Sequence, residues 1–91
     1  MVKVVFPSII AKVTQGEKDV TISASTLREA LDQLIIKYGN SFKERLLDPS
    51  GEPKRFLNFY INGKNVRFMN SLDTPLNDED ELTILPTASG G

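Results

Sequence analysis

The residues of this chain best suited to unusual chemistry are the last two, Gly90-Gly91, which follow the slender run Thr87-Ala88-Ser89. Glycine has no β-carbon, so a paired-glycine end can take backbone angles and enter spaces closed to other residues. Such an end can thread a narrow channel and present its α-carboxylate to the active site of another protein. A loose terminus of small residues without a function fits the same stretch. Immediately before it, Glu81-Leu82-Thr83-Ile84-Leu85-Pro86 reads as a strand, which gives the tail a definite point of departure.

Other chemistry is largely excluded by what is missing. The 91 residues include no cysteine and no histidine. Disulfides, thiol nucleophiles, imidazole bases and zinc sites built from those ligands are therefore ruled out. Asp78-Glu79-Asp80-Glu81 lacks the spacing and the glycine of a calcium loop, and reads as a solvated turn, so no metal site is expected. Glu29 and Asp32 fall on the solvent side of a helix. Ser25 and Thr26 sit at that helix's start with no base to activate them. With no phosphate-cradling loop either, the chain is expected to be acted upon, not to catalyse.

Composition sets the frame. Apolar residues make up 40% and charged residues 25%, ordinary for one soluble globular domain. The expected division is a domain over 1–86 and a flexible tail over 87–91. Apolar runs fall far short of the roughly 20 residues that span a bilayer. The N-terminus does not read as a signal peptide, so the expected location is the cytoplasm, with no membrane partner. Net charge is −1, which offers no field for nucleic acid. Residues 1–45 carry seven basic and five acidic side chains, and residues 46–91 carry four basic and seven acidic. The half that holds the tail is the acidic one, and a basic partner surface would suit it weakly, since exposed charges are screened over about 8–10 Å.

The elements follow from spacing. Val2-Lys3-Val4-Val5-Phe6 is a nearly continuous apolar strand, covered on much of both faces. It is interrupted at Pro7-Ser8 and loosely continued by Ile9 to Val13. Gly16 supplies a turn into the alternating strand Asp19–Ala24. Thr26 and Glu29 form a capping box, each side chain expected to satisfy a free amide. Leu27, Ala30, Leu31, Leu34, Ile35 and Tyr38 then define a helix over 26–38, stopped by Gly39. Ser41 to Leu47 add one or two turns with Phe42, Leu46 and Leu47 inward, and Asp48–Pro53 is a loop. Phe56–Ile61 is a strand, Asn62-Gly63 a hairpin turn, and Asn65–Phe68 its return. Leu82–Leu85 closes the chain as an apolar, interior strand. The order β-β-α-β-β-β predicts a helix laid across one face of a mixed sheet, with the first and last strands side by side at its centre.

These features resemble a family. The β-grasp order, Arg55-Phe-Leu-Asn-Phe-Tyr-Ile-Asn-Gly63, the turn Leu76-Asn-Asp-Glu-Asp-Glu-Leu82, and Leu85-Pro86 running to Gly90-Gly91 are similar to the ubiquitin-like sulfur carriers. Those are the molybdopterin synthase small subunit, the thiamine-pathway carrier and the carrier that feeds cysteine synthesis. The resemblance spans essentially the whole chain. It implies an α+β, ubiquitin-like β-grasp fold of four to five strands with one main helix. Thiamine-pathway carriers lack the stretch around 41–54, so the long form here is nearer the other two. One departure stands out: the turn before the last strand usually holds a glycine, and Asp78-Glu79-Asp80 has none.

The same resemblance implies the chemistry. A ubiquitin-activating-like adenylyltransferase would use ATP to convert the Gly91 carboxylate to an acyl-adenylate, and sulfide would displace AMP to leave a thiocarboxylate. Gly90 would let the backbone enter the channel. No cofactor would be bound by the chain itself. The acceptor would be the large subunit of molybdopterin synthase, placed first, or a cysteine synthase-like enzyme, close behind. A protein modifier forming isopeptide bonds through Gly91, and a plain interaction domain, are the other readings. Strand alternation puts Val2, Val4, Leu57, Phe59, Ile61, Leu82 and Ile84 on the core face. The opposite face would then offer Val5, Phe56, Tyr60, Arg67, Leu85 and Pro86 as a docking patch, apolar with a cation beside it. Isolated exposed apolar residues would look the same.

Overall fold

The computed structural model describes residues 1–86; the tail expected at 87–91, with Gly90 and Gly91, lies outside the described residues. Its elements are β1 (Val2–Val5), β2 (Asp19–Ile22), α1 (Leu27–Tyr38), α2 (Asn40–Leu46), β3 (Leu57–Ile61), β4 (Lys64–Asn65) and β5 (Glu81–Pro86). The five strands form one sheet in the order β2-β1-β5-β3-β4. β1 and β5 run parallel at its middle, and the β1–β2, β3–β5 and β3–β4 pairs are antiparallel. This is the mixed β-grasp sheet the sequence pattern requires, with the two most apolar strands in the positions buried deepest.

The core lies between the sheet and α1. Val2, Val4, Leu57, Phe59, Ile61, Leu82 and Ile84 are all buried, as are Leu27, Ala30, Leu31 and Leu34 from the helix. α1 begins at the residue after Thr26, whose hydroxyl accepts from the Glu29 amide at 3.1 Å. The other half of the expected box is displaced. The Glu29 carboxylate accepts from the amide and the hydroxyl of Ser25, one residue earlier, at 3.1 and 3.0 Å. The chain is held there by a bridge of Thr26 to Pro75, with the Leu27 amide donating to the Thr74 carbonyl. Gly39 stops α1 with φ near +92° and in the same step opens α2. A left-handed angle there suits glycine. α2 then brings Phe42 and Leu46 into the core. Phe42 stacks on Tyr38 at 5.4 Å between ring centres and meets Phe6 edge-on at 6.1 Å.

Two expected stretches of strand are turns instead. Residues 9–13 do not continue β1: Ser8–Ile10 is a short 3-10 turn that buries Ile10. Pro7 has no amide to give the ladder. The buried Thr14 hydroxyl bonds the Glu17 carbonyl at 2.9 Å and so ties the following turns together. This connection is clasped to the helices, since the Tyr38 hydroxyl bonds the Glu17 carboxylate. Burial first, then that bond and charge, push the Tyr38 hydroxyl well above its usual range. The return strand after Asn62-Gly63 is also short. Both turn residues have positive φ, as a tight hairpin demands. After Asn65, however, its side-chain oxygen accepts from the Arg67 amide and winds 66–68 into a second 3-10 turn.

Candidate functional site

The site is the end of the sheet at which β5 finishes. Pro86 lies opposite Leu57, and Leu85 opposite Asn58. Because β1 is parallel to β5, the C-terminal ends of both strands open on the same side, and the Pro7–Val13 connection starts there. The chain therefore leaves from the middle of the sheet and not from a free edge.

The expected docking patch divides in two. On the uncovered sheet face, Val5, Thr83, Tyr60 and Asn65 form one cross-strand row. Val5 and Tyr60 are half-buried there, while Leu85 (44% exposed) and Pro86 sit at the exit. Lys3 lies beside Glu81 in the next row, so the face is polar toward its far end. Phe56 falls outside β3, and its ring sits against Arg45 of α2, with the guanidinium 5.8 Å from the ring centre. Arg67 does not belong to this face. Because residues 66–68 are a 3-10 turn and not a strand, it lines a cavity of about 170 Å³ beside Leu27, Leu57 and Phe59, on the helix side. A cation at this end that the strand pattern could not locate is Arg45, because it lies on α2.

Charge is arranged contrary to the simple division of the sequence into halves. The acidic run Asp78–Glu81 stands at the start of β5, and a six-residue strand carries the chain about 17 Å further before Pro86. The exit end holds Arg45 and Arg55, with Lys12 lining a hollow beside Ile9 and Arg45, and one exposed acid, Asp19, opposite Val5. The acidic turn is structural. Asp80 accepts from the Asn77 amide and from the Asn62 side chain, both at 2.8 Å, and these bonds hold its carboxyl below the usual range. The Met1 amine pairs with Asp78 at 2.9 Å, and the Met1 carbonyl accepts from the Glu79 amide. Glu79 takes φ near +72°, the left-handed angle its missing glycine would have supplied. The turn thus keeps its geometry with a residue ill suited to it.

Among the described residues, no group of histidine, cysteine, aspartate or glutamate side chains is placed to hold a metal, and no helix is long and apolar enough to cross a membrane. What the site offers is a surface around an exit point.

A sheet of this order carrying one long helix is the ubiquitin-like β-grasp. The chain belongs to the ThiS family, the ubiquitin-like sulfur carriers, whose model matches residues 4–91. It is 41% identical to the sulfur carrier protein CysO of Mycobacterium tuberculosis over 92 residues, covering 99% of this chain and 98% of that one. A chain in the crystal structure of the Amycolatopsis orientalis BexX/CysO complex superposes with a TM-score of 0.88 at 36% identity, covering 100% of both chains. The small archaeal modifier protein 1 of Methanosarcina acetivorans superposes with a TM-score of 0.84 at 30% identity, covering 99% of this chain and 95% of the other.

Proposed function

We propose that this protein carries sulfur on Gly91 as a thiocarboxylate and delivers it in cysteine biosynthesis. The observation that carries the reading is the placement of β5, which runs through the middle of the sheet and releases the chain at Pro86, five residues before Gly91. The family supplies the chemistry. A carboxylate is a poor acyl donor because oxide would have to leave. Attack of the Gly91 carboxylate on the α-phosphorus of ATP expels pyrophosphate and gives a mixed anhydride. Sulfide sulfur then attacks the acyl carbon, AMP departs, and the thiocarboxylate that remains is anionic and nucleophilic, as a thiolate is. The adenylating machinery belongs to a ubiquitin-activating-like partner, and ATP is its substrate.

Of the two pathways the sequence left open, molybdopterin synthesis came first; the relatives named CysO favour the cysteine one. The BexX/CysO complex supports stable recognition of a carrier of this shape by a second protein. The likeness to a small archaeal modifier protein supports one further reading, in which the activated glycine forms an isopeptide bond with a lysine. Intact mass of the chain isolated from its own cells distinguishes them. Exchange of one oxygen for sulfur is expected; a ladder of larger conjugates with no thiocarboxylate would replace the carrier with the modifier. Loss of cysteine synthesis, with molybdoenzymes unaffected, is the expected phenotype on deletion.

A further inference from the structure

We propose that Arg45, set between Phe56 and Ile9, is the docking anchor for a carboxylate-bearing surface of the adenylating partner, at the mouth of the channel that takes the tail. The inference rests on the reading that a partner acts at Gly91. It adds the residue that is gripped and the chemistry that grips it.

The guanidinium lies 5.8 Å from the centre of the Phe56 ring, and one of its nitrogens donates to the Ile9 carbonyl at 3.3 Å. It is thereby held beside an aromatic ring, and among the described residues most of its five donors are unspent. Among the described residues it enters no ion pair. Two acids of the neighbouring elements are engaged elsewhere. Glu44, its neighbour in α2, accepts from Asn40 at 3.0 Å, and Glu17 is bonded to Tyr38 and paired with Lys37. Ile9, Phe56 and Leu85 remain 44%, 38% and 44% exposed. Positioned arginine within an apolar floor is the composition of interface hot spots. Lys12 and Arg55 reinforce the sign of the charge.

The occupant follows from chain length. The five residues after Pro86 reach at most about 18 Å, so a protein acting at Gly91 must cover this end of the sheet. Opposite a guanidinium with free forked donors, the group that binds best is a carboxylate, bidentate and charge-assisted. The acidic turn of this chain stands at the far end and does not oppose such a partner.

The test uses the full chain with its adenylating enzyme, following ATP–pyrophosphate exchange as carrier concentration is varied. Arg45→Glu should raise KM for the carrier about ten- to hundredfold while leaving kcat unchanged. The increase should shrink as salt is added. Arg45→Lys, which retains charge but not the fork, should fall between the two, and melting curves show whether either variant still folds. Lys64→Glu on β4 imposes the same charge change away from the exit and should leave KM alone. An unchanged KM for Arg45→Glu, or an equal rise for Lys64→Glu, overturns the anchor. A rise in KM for ATP instead would place the guanidinium on the nucleotide and overturn it too. Absence of any exchange with the unaltered chain would refute the reading beneath, and the anchor with it.

Discussion

Replacing Glu79 by glycine should stabilise this protein, although it removes a side chain and adds freedom to the unfolded chain. Glu79 holds φ near +72° in the turn that feeds β5. A residue with a β-carbon is disfavoured there by about 1–2 kcal/mol. Glycine removes that penalty but loses about 0.5–1 kcal/mol more conformational freedom on folding. The side chain is exposed, so little contact energy is forfeited. The net expectation is a gain of about 0.5–1 kcal/mol. At this size that is a rise of about 2–8 °C in melting temperature. The assay is paired thermal and urea denaturation of the parent, Glu79→Gly and Glu79→Ala. Alanine keeps the β-carbon and should show no such gain. The turn's backbone bonds, Glu79 amide to Met1 carbonyl at 2.8 Å and Asp80 amide to Asn77 carbonyl at 3.1 Å, survive either change. If Glu79→Gly melted at or below the parent, the left-handed angle would not be a stored strain, and the reasoning would be refuted.

Other expectations test other joints of the structure. Phe42→Ala removes a fully buried ring that stacks on Tyr38 and abuts Phe6, and should cost about 3–5 kcal/mol in urea unfolding while leaving the sheet's register intact. Asp80, whose carboxyl is held below its usual range, contributes stability that is present above its unfolded pKa and lost as pH falls through its folded one. Stability measured from neutral pH downward should therefore decline less steeply in Asp80→Asn than in the parent; identical slopes would exclude the Asn77 and Asn62 bonds as the cause. Gly90→Val should abolish adenylation with the melting curve unchanged, since only passage of the backbone into the partner is blocked; normal adenylate formation would sink the threading argument.

Much of the architecture was legible because burial writes directly into spacing. Leu57, Phe59 and Ile61 alternate on β3 and are all buried, and the helical stripe from Leu27 to Leu34 lies against them. The misread stretches are those in which a local bond outweighs pattern. Ile9 to Val13 have strand-like composition, but Pro7 and the Thr14 hydroxyl bend them into turns. Arg67 looked like an open-face residue because Asn65–Phe68 looked like a strand; one Asn65 side-chain bond to the Arg67 amide reversed its side. The exit surface was legible only in part. Leu85 and Val5 follow from alternation, whereas Arg45 reaches Phe56 across the gap from α2 to β3, a distance that no sequence periodicity encodes. The position of the charge along the strand was not legible for a similar reason. Counting acids in the C-terminal half ignores that a strand separates Asp78–Glu81 from Pro86.

That separation gives the last strand two unlike ends. At its start, side-chain and terminal groups of this chain answer one another: Asp80 with Asn62 and Asn77, Asp78 with the Met1 amine. These bonds are internal to the turn, and substitutions at Asp80 or at the Glu79 backbone angle act on stability. At its finish, Ile9, Phe56 and Leu85 stay partly exposed and Arg45 keeps unspent donors. A guanidinium with unspent donors beside partly exposed apolar side chains has the make-up of a protein interface, and a second molecule docked there would complete it. On the proposed reading, in which Gly91 is the reacting residue five positions beyond, that end is the surface a partner acting there would meet. If the proposed docking holds, stability and recognition fall at opposite ends of one strand, and variants at Glu79 and Arg45 should move one property each and leave the other alone.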